Sequence, residues 1–229
     1  MCGRFNVTSD PLNQLIVEIT GRGFVIETKY NLAPTEQVPV LFKHSDGEWD
    51  VHEMRWWLVP YWADAPSNKY SMFNAKSETL HKSRAFREPF KRRRCIVPAT
   101  GYYEWRTENG RKLPLYITPE DGNGFAFAGL WDRWKGPEQT IESCTVVTTA
   151  ASNSMSRIHN RMPVCLSVSE AQTWMDPDAD ETTLKQLFAP IIRMPIAVTP
   201  VSTFVNNARN KDERCVEPLG ESEHLAVGS

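Results

Sequence analysis

Apolar residues in this chain recur mostly at every second position, in runs separated by turn-forming clusters. VPVLFK (38–43) and VHEMRWWLV (51–59) flank SDGE. RCIVP (94–98), GYYEWR (101–106), LPLYIT (113–118), FAFAGLW (125–131) and SCTVVTT (143–149) follow, punctuated by ENG and EDGNG. A last run, MPIAVTPVS (194–202), precedes a polar end. Alternation of this kind, rich in β-branched and aromatic residues, predicts strands joined as hairpins. Helical spacing is confined to a few places. Leu12, Leu15, Ile16 and Ile19 follow Asp10-Pro11, which reads as an N-cap and a first helical position, and Gly21 closes the element. The segment Ser77 to Phe90 reads as a helix or irregular helical turn ending near Pro89. Ser167 and Glu170 stand at capping-box spacing before AQTWM, and a further short helix is expected over 181–188.

About eight strands in consecutive groups, without regular helical crossovers, imply an α+β class. The expected architecture is a single domain with a largely antiparallel, curved, barrel-like sheet and flanking helices. It is expected to occupy residues 1–219, leaving 220–229 as a flexible C-terminal tail.

Composition narrows the function classes. No apolar run approaches 18 residues, so no membrane span or membrane partner is expected. MCGRFNVTSD lacks the basic start and apolar stretch of a secretory signal, which makes a cytoplasmic location the expectation. The cysteines are Cys2, Cys95, Cys144, Cys165 and Cys215; they are odd in number, widely spaced and without a CxxC pair. Neither a disulfide framework nor a zinc site follows, and no metal or cofactor is expected. Buried small hydrophobes describe most of them. A monomer is expected.

A net charge of -2 argues against a nucleic-acid binder if taken for the chain as a whole. Between His81 and Arg94, however, Lys82, Arg84, Arg87, Lys91, Arg92, Arg93 and Arg94 face only Glu88. Such a run either steers toward phosphate or is a solvated face.

Cys2 stands out by position. With Met1 removed it would carry an α-amine and a thiol on adjacent carbons, with ordinary pKa values of roughly 7.7–8.0 and about 8.5. Some neutral amine and some thiolate would then exist near neutrality without tuning. A 1,2-aminothiol condenses with an aldehyde, first to an imine and then to a five-membered thiazolidine. Gly3 lets the backbone approach a ligand, Arg4 places a fixed charge beside the nucleophile, and Phe5 is suited to pin the terminus to the core. Glu104 lies among aromatics in GYYEWR; it is either a desolvated carboxylate with a raised pKa or a strand glutamate paired with Arg106 or another nearby cation. His159, between Arg157 and Arg161, is either a neutral donor–acceptor or a surface histidine in a basic loop. Asn74 in MFNAKSET is either a cap or turn residue or a positioning amide, and Lys76 adds a cation nearby.

The start MCGRF, together with YNLAPTE (30–36), MRWWLVPYW (54–62), FNAKSET (73–79), RRCIVPATGYYEW (93–105), FAGLW (127–131), IHNRMPV (158–164) and PVSTFVNN (200–207), resembles the SRAP (SOS response-associated peptidase) family over nearly the whole chain. The resemblance implies a sensor of abasic sites in single-stranded DNA, in which Cys2 forms a covalent thiazolidine crosslink that shields the lesion. It implies proton transfer by Glu104, ring opening assisted by His159, and orientation of sugar or amine by Asn74. It further implies phosphate contacts from Arg4, Lys76, Arg84 and Arg161, with Trp62 and Pro34 stacking on or wedging against bases. Bound to DNA, such a protein would be nucleoid-associated. Lys76 stands where arginine is usual, and Trp57 where glycine is usual. Lyase character, a thiol (auto)peptidase using Cys2, His159 and Glu104, and a non-covalent single-strand binder remain as alternatives.

Overall fold

Residues 2–44, 46–108 and 110–228 are described by a computed structural model. Ser45 and Asn109, in the turns expected at SDGE and ENG, lie outside the described residues, as do Met1 and Ser229. In chain order the first strands are β1 (Phe5–Val7), β2 (Lys29–Leu32), β3 (Gln37–Lys43), β4 (Trp49–Trp56), β5 (Asn74–Lys76), β6 (Arg94–Ala99) and β7 (Gly101–Glu108). They are followed by β8 (Arg111–Pro119), β9 (Phe125–Lys135), β10 (Thr140–Ala150), β11 (Arg161–Pro163), β12 (Cys165–Leu166), β13 (Ile196–Pro200) and β14 (Glu223–Leu225). The helices are α1 (Ser9–Thr20), α2 (Arg87–Arg92), α3 (Val168–Met175) and α4 (Glu181–Gln186).

The expected α+β class and barrel-like closure are both present. Strands β10, β4, β3, β6 and β9 pair in that order, and β9 pairs back onto β10, so five strands close a barrel. Most ladders are antiparallel; β10 runs parallel to β4 and to β5. A second, antiparallel sheet has the order β14-β13-β8-β7-β1-β2. The amino-terminal strand thus lies inside this sheet, with Phe5 opposite Tyr102 on one side and Leu32 on the other. Phe5 is fully buried and packs edge-on against Trp56 and Phe127, at 4.8 and 6.2 Å between ring centroids. Those two rings belong to barrel strands, so Phe5 fastens the second sheet to the barrel. Aromatic burial of this kind is worth several kcal/mol in a core, and here it fixes the position of the residues just before it.

Several local expectations change. Thr8, not Asp10, occupies the N-cap of α1, and Asp10 lies in the first turn. Gly21 closes the helix in the left-handed region at φ 77, where a side chain would be strained. The segment from Ser77 is a 3₁₀ turn over Ser77–Thr79 and a separate helix α2, which runs through Pro89 to Arg92. Pro89 sits in the first turn of α2, where the missing N–H has no intrahelical partner to lose. The capping box at Ser167 and Glu170 forms as expected. The segment expected to fray after Leu219 instead adds strand β14 to the edge of β13 and buries Leu225.

The basic run is not one solvated face. Arg94 is buried and donates to the carbonyls of Trp174, Phe90, Lys91 and Asp176. Arg93 pairs with the buried carboxylate of Asp132 at 3.2 Å. Removing Arg94 strands several buried acceptors, so Arg94→Ala is expected to cost about 3 kcal/mol. Urea unfolding would read this as a lower midpoint. Arg94→Lys should recover little of the loss, because a point charge cannot span four carbonyls.

Candidate active site at the amino terminus

The chain enters β1 from the junction between the two sheets, and this puts Cys2 under strong positional control. The Asn74 Nδ2 donates to the Cys2 carbonyl at 2.7 Å. Asn74 is itself fixed to the barrel, since β5 pairs with β10 in the register Asn74 to Val146. On the other side the Tyr103 N–H donates to the Arg4 carbonyl at 2.9 Å. Cys2 is therefore held from the barrel and from β7 at once.

Glu104 lies on β7, only 3% exposed. Strand alternation directs Tyr102 and Glu104 to one face and Tyr103 and Trp105 to the other. Tyr102 packs on Phe125 and Phe127, and Tyr103 on Tyr116. Arg106 does not pair with Glu104; it pairs with Glu108. Burial raises the Glu104 pKa to about 7. Burial also pushes the Cys2 thiol well up, and the neighbouring Glu104 charge pushes it further. Both effects oppose ionisation of the thiol.

His159 follows a 3₁₀ turn at Met155–Arg157 and leads into β11. Its Nδ1 accepts from the Arg161 N–H at 3.0 Å, which leaves Nε2 as the protonated nitrogen of the neutral ring. Its pKa is lowered, chiefly by burial, with the Arg161 charge acting in the same direction. The lowering has the direction that flanking guanidinium charge would give, but burial is its larger cause and Arg157 takes no part. Arg157 is turned to Glu223.

Gly3, Arg4, Glu104, Trp105, Lys112, His159 and Asn206 together line an open cleft. The Arg4 Nη1 donates to Asn31 Oδ1 at 2.7 Å and to the Val205 carbonyl at 3.1 Å. Asn31, in the left-handed region at φ 54, is a hub. Its Nδ2 reaches the carbonyls of Val205, Asn207 and Asn210 at 3.2, 3.0 and 2.9 Å. The cleft wall is thereby tied to the segment after β13.

The sequence-predicted phosphate and base contacts divide. Arg4 lines the cleft. Arg161 and Lys76 flank Thr148 of β10, but Arg161 already forks Glu78 at 2.7 and 3.1 Å and reaches the Thr148 carbonyl at 2.6 Å. A phosphate there would have to share that guanidinium. Arg84 stacks on Trp62 at 3.9 Å, forming a cation–aromatic pair outside the cleft walls. Pro34 is half-buried in the turn between β2 and β3, also outside those walls. Trp57 packs against Phe73 and donates to the Ser67 carbonyl at 3.2 Å.

Three wall residues escape sequence reading: Trp105, Lys112 and Asn206. The Trp105 Nε1 donates to Asn206 Oδ1 at 2.7 Å, and Arg4 lies 5.8 Å from the Trp105 ring. Trp105 and Asn206 belong to the motifs GYYEW and PVSTFVNN, which carried a signal. Lys112 carried none beyond strand alternation.

Comparison with known proteins was informative. The model of the family described as SOS response associated peptidase (SRAP) matches residues 1–208. Abasic site processing protein YoqW of Bacillus subtilis (strain 168) is 34% identical over 224 residues, spanning 95% of this chain and 99% of its own length. Abasic site processing protein HMCES of Xenopus tropicalis is 35% identical over 225 residues, spanning 84% of this chain and 67% of its own. A solved structure from Bacteroides thetaiotaomicron superposes with a TM-score of 0.78 at 24% identity, covering 95% of this chain and 100% of that one. This last likeness concerns the fold.

Proposed function

This chain belongs to the SOS response associated peptidase (SRAP) family, and from that premise we propose that it captures abasic sites in single-stranded DNA through Cys2, once Met1 is removed. The observation that carries this reading is a cleft lined by Gly3, Glu104 and His159, beside which Asn74 holds the carbonyl of the buried Cys2. Cys2 is thereby held next to Gly3, which lines the cleft.

The chemistry runs in three steps. His159, neutral and protonated on Nε2, hydrogen-bonds the sugar-ring oxygen as the hemiacetal opens; the C1′ hydroxyl gives its proton to water, water protonates the ring oxygen, and the C1′ aldehyde is exposed. The Cys2 amine adds to C1′, and loss of water gives an imine. The thiol sulfur then bonds to C1′; its proton passes to the Glu104 carboxylate and on to the nitrogen, closing the thiazolidine. One water leaves overall. A carboxyl group with a pKa of about 7 suits both donating and accepting at neutral pH. Arg4 and Lys112 offer charge for flanking phosphates.

Intact-mass analysis before and after incubation with an abasic oligonucleotide tests this directly. The expected species is protein without Met1 plus oligonucleotide minus one water; processed protein that gives no such mass rejects the proposal. Asn74→Ala should slow single-turnover capture roughly tenfold, the loss of about one positioning hydrogen bond. Quenched time courses with mass detection check it. The thiol-peptidase reading uses the same residues, but burial and the neighbouring Glu104 charge both disfavour the thiolate that a cysteine nucleophile needs.

A further inference from the structure

A second cleft opens at the far end of the barrel, between the β3–β4 turn, the end of α2, β9 and the end of α3. Lys43, Lys91, Arg92, Arg94 and Arg133 line it, and among the described residues no carboxylate does. In a chain with 28 acidic and 26 basic residues, five cations without an acid in one lining is a marked segregation. The neighbouring carboxylates each engage a single lining group: Glu142 holds Arg133, Glu88 approaches Arg92 at 3.8 Å, Asp50 lies 3.2 Å from His44, and the Asp176 charge acts on Arg94. Arg94 spends its donors on backbone carbonyls, so it supplies field rather than contact. Lys43 and Lys91 are exposed and enter no ion pair among the described residues. The partly exposed indole of Trp131, tilted against Phe42 at 5.5 Å, gives the cleft an aromatic surface.

Cations around an aromatic platform are the features that hold a nucleotide strand: charge for phosphates and a π-face for bases. Strand β10 relates the two clefts. Glu142, partner of Arg133, lies near its start, and Ala150, opposite Arg161, is its last residue. At roughly 3.3 Å per residue the path between them is about 26 Å, or about eight nucleotides at a stacked rise of ~3.4 Å.

We propose that this remote cleft is a second binding site for the same single strand, engaging undamaged nucleotides about eight positions from the lesion. The identity of the ligand as DNA rests on the function proposed above; the charge segregation does not.

The test uses Lys43→Gln/Lys91→Gln in the full chain, both changes lying on exposed side chains away from the reacting groups. Non-covalent affinity is measured against salt for two undamaged single strands, one of about five nucleotides and one with about fifteen further nucleotides on each side. For the long strand, the slope of log affinity against log salt should fall by about 1.4, two phosphates at ~0.7 each. For the short strand it should not change. An unchanged slope on both strands overturns the proposal, as does an equal fall on both, which would mean a general field. A change seen only with ATP also overturns it, since the cleft would then take a mononucleotide. Covalent capture of a short abasic oligonucleotide is measured in parallel. Loss of the adduct in wild-type protein would remove the abasic-site reading while leaving the strand-length result standing on its own.

Discussion

Cys2→Ala should form no stable crosslink with an abasic oligonucleotide, while retaining a weaker product that only borohydride makes permanent. The reason is the division of labour within one residue. Removal of Met1 from this variant leaves an alanine whose amine still adds to the C1′ aldehyde. Without sulfur the imine cannot close to a ring, and it hydrolyses. An imine at C1′ also acidifies the neighbouring C2′ protons, so elimination of the 3′ phosphate becomes the competing path. The variant should therefore nick abasic strands faster than wild type as it loses the crosslink. Two lanes settle this, a denaturing gel with borohydride and one without. A heat-stable adduct in Cys2→Ala without reductant would show that another nucleophile does the work.

Glu104→Gln should slow ring closure by on the order of 10³-fold and, at the same time, make the protein more stable at alkaline pH. The folded Glu104 titrates near 7, above the ordinary carboxyl range, because burial disfavours its charge. Between the unfolded pKa of about 4.3 and the folded value, the native state holds more protons than the unfolded one. Stability therefore declines as pH rises through that window. The cost is absent below about pH 4 and complete above about pH 7, at about 4 kcal/mol for the whole shift. Glutamine carries no such cost, so the melting temperature should rise at pH 8 and change little at pH 4.5. In wild type, capture should accelerate as pH climbs through about 7, where the carboxylate becomes able to take the thiol proton. Glutamine should abolish that inflection. If the inflection survives the substitution, the titrating group is not Glu104.

The fold was legible where the chain repeats itself. Runs such as 94–98, 113–118 and 125–131 have enough alternation to declare strands, and all lie within strands β6, β8 and β9. What escaped were strands too short to show a period: β1, β5, β11 and β12 have two or three residues each. β1 is further disguised because Asn6 is fully buried, a polar residue accepted there by its contact with the Tyr103 hydroxyl at 2.8 Å. The candidate site was readable from residue types at Cys2, Glu104 and His159, since an aminothiol, a carboxylate among aromatics and a flanked histidine each have distinctive chemistry. Exposure was not readable. Nothing local told the internal clamp of Arg94 from the exposed Lys91 three residues earlier, because the carbonyls of Trp174 and Asp176 lie some 80 positions away in sequence. Likewise the ion pair between Arg161 and Glu78 depends on a meeting of β11 with the turn after β5.

The hub at Asn31 has a consequence for how the protein is made. One wall around Arg4 depends on carbonyls of Val205, Asn207 and Asn210, near the opposite end of the chain. The wall around Arg4 can therefore settle only after the segment carrying Val205, Asn207 and Asn210 has been synthesised. Until then Arg4 and Asn31 lack the carbonyls that hold them, and that wall of the cleft stays unassembled.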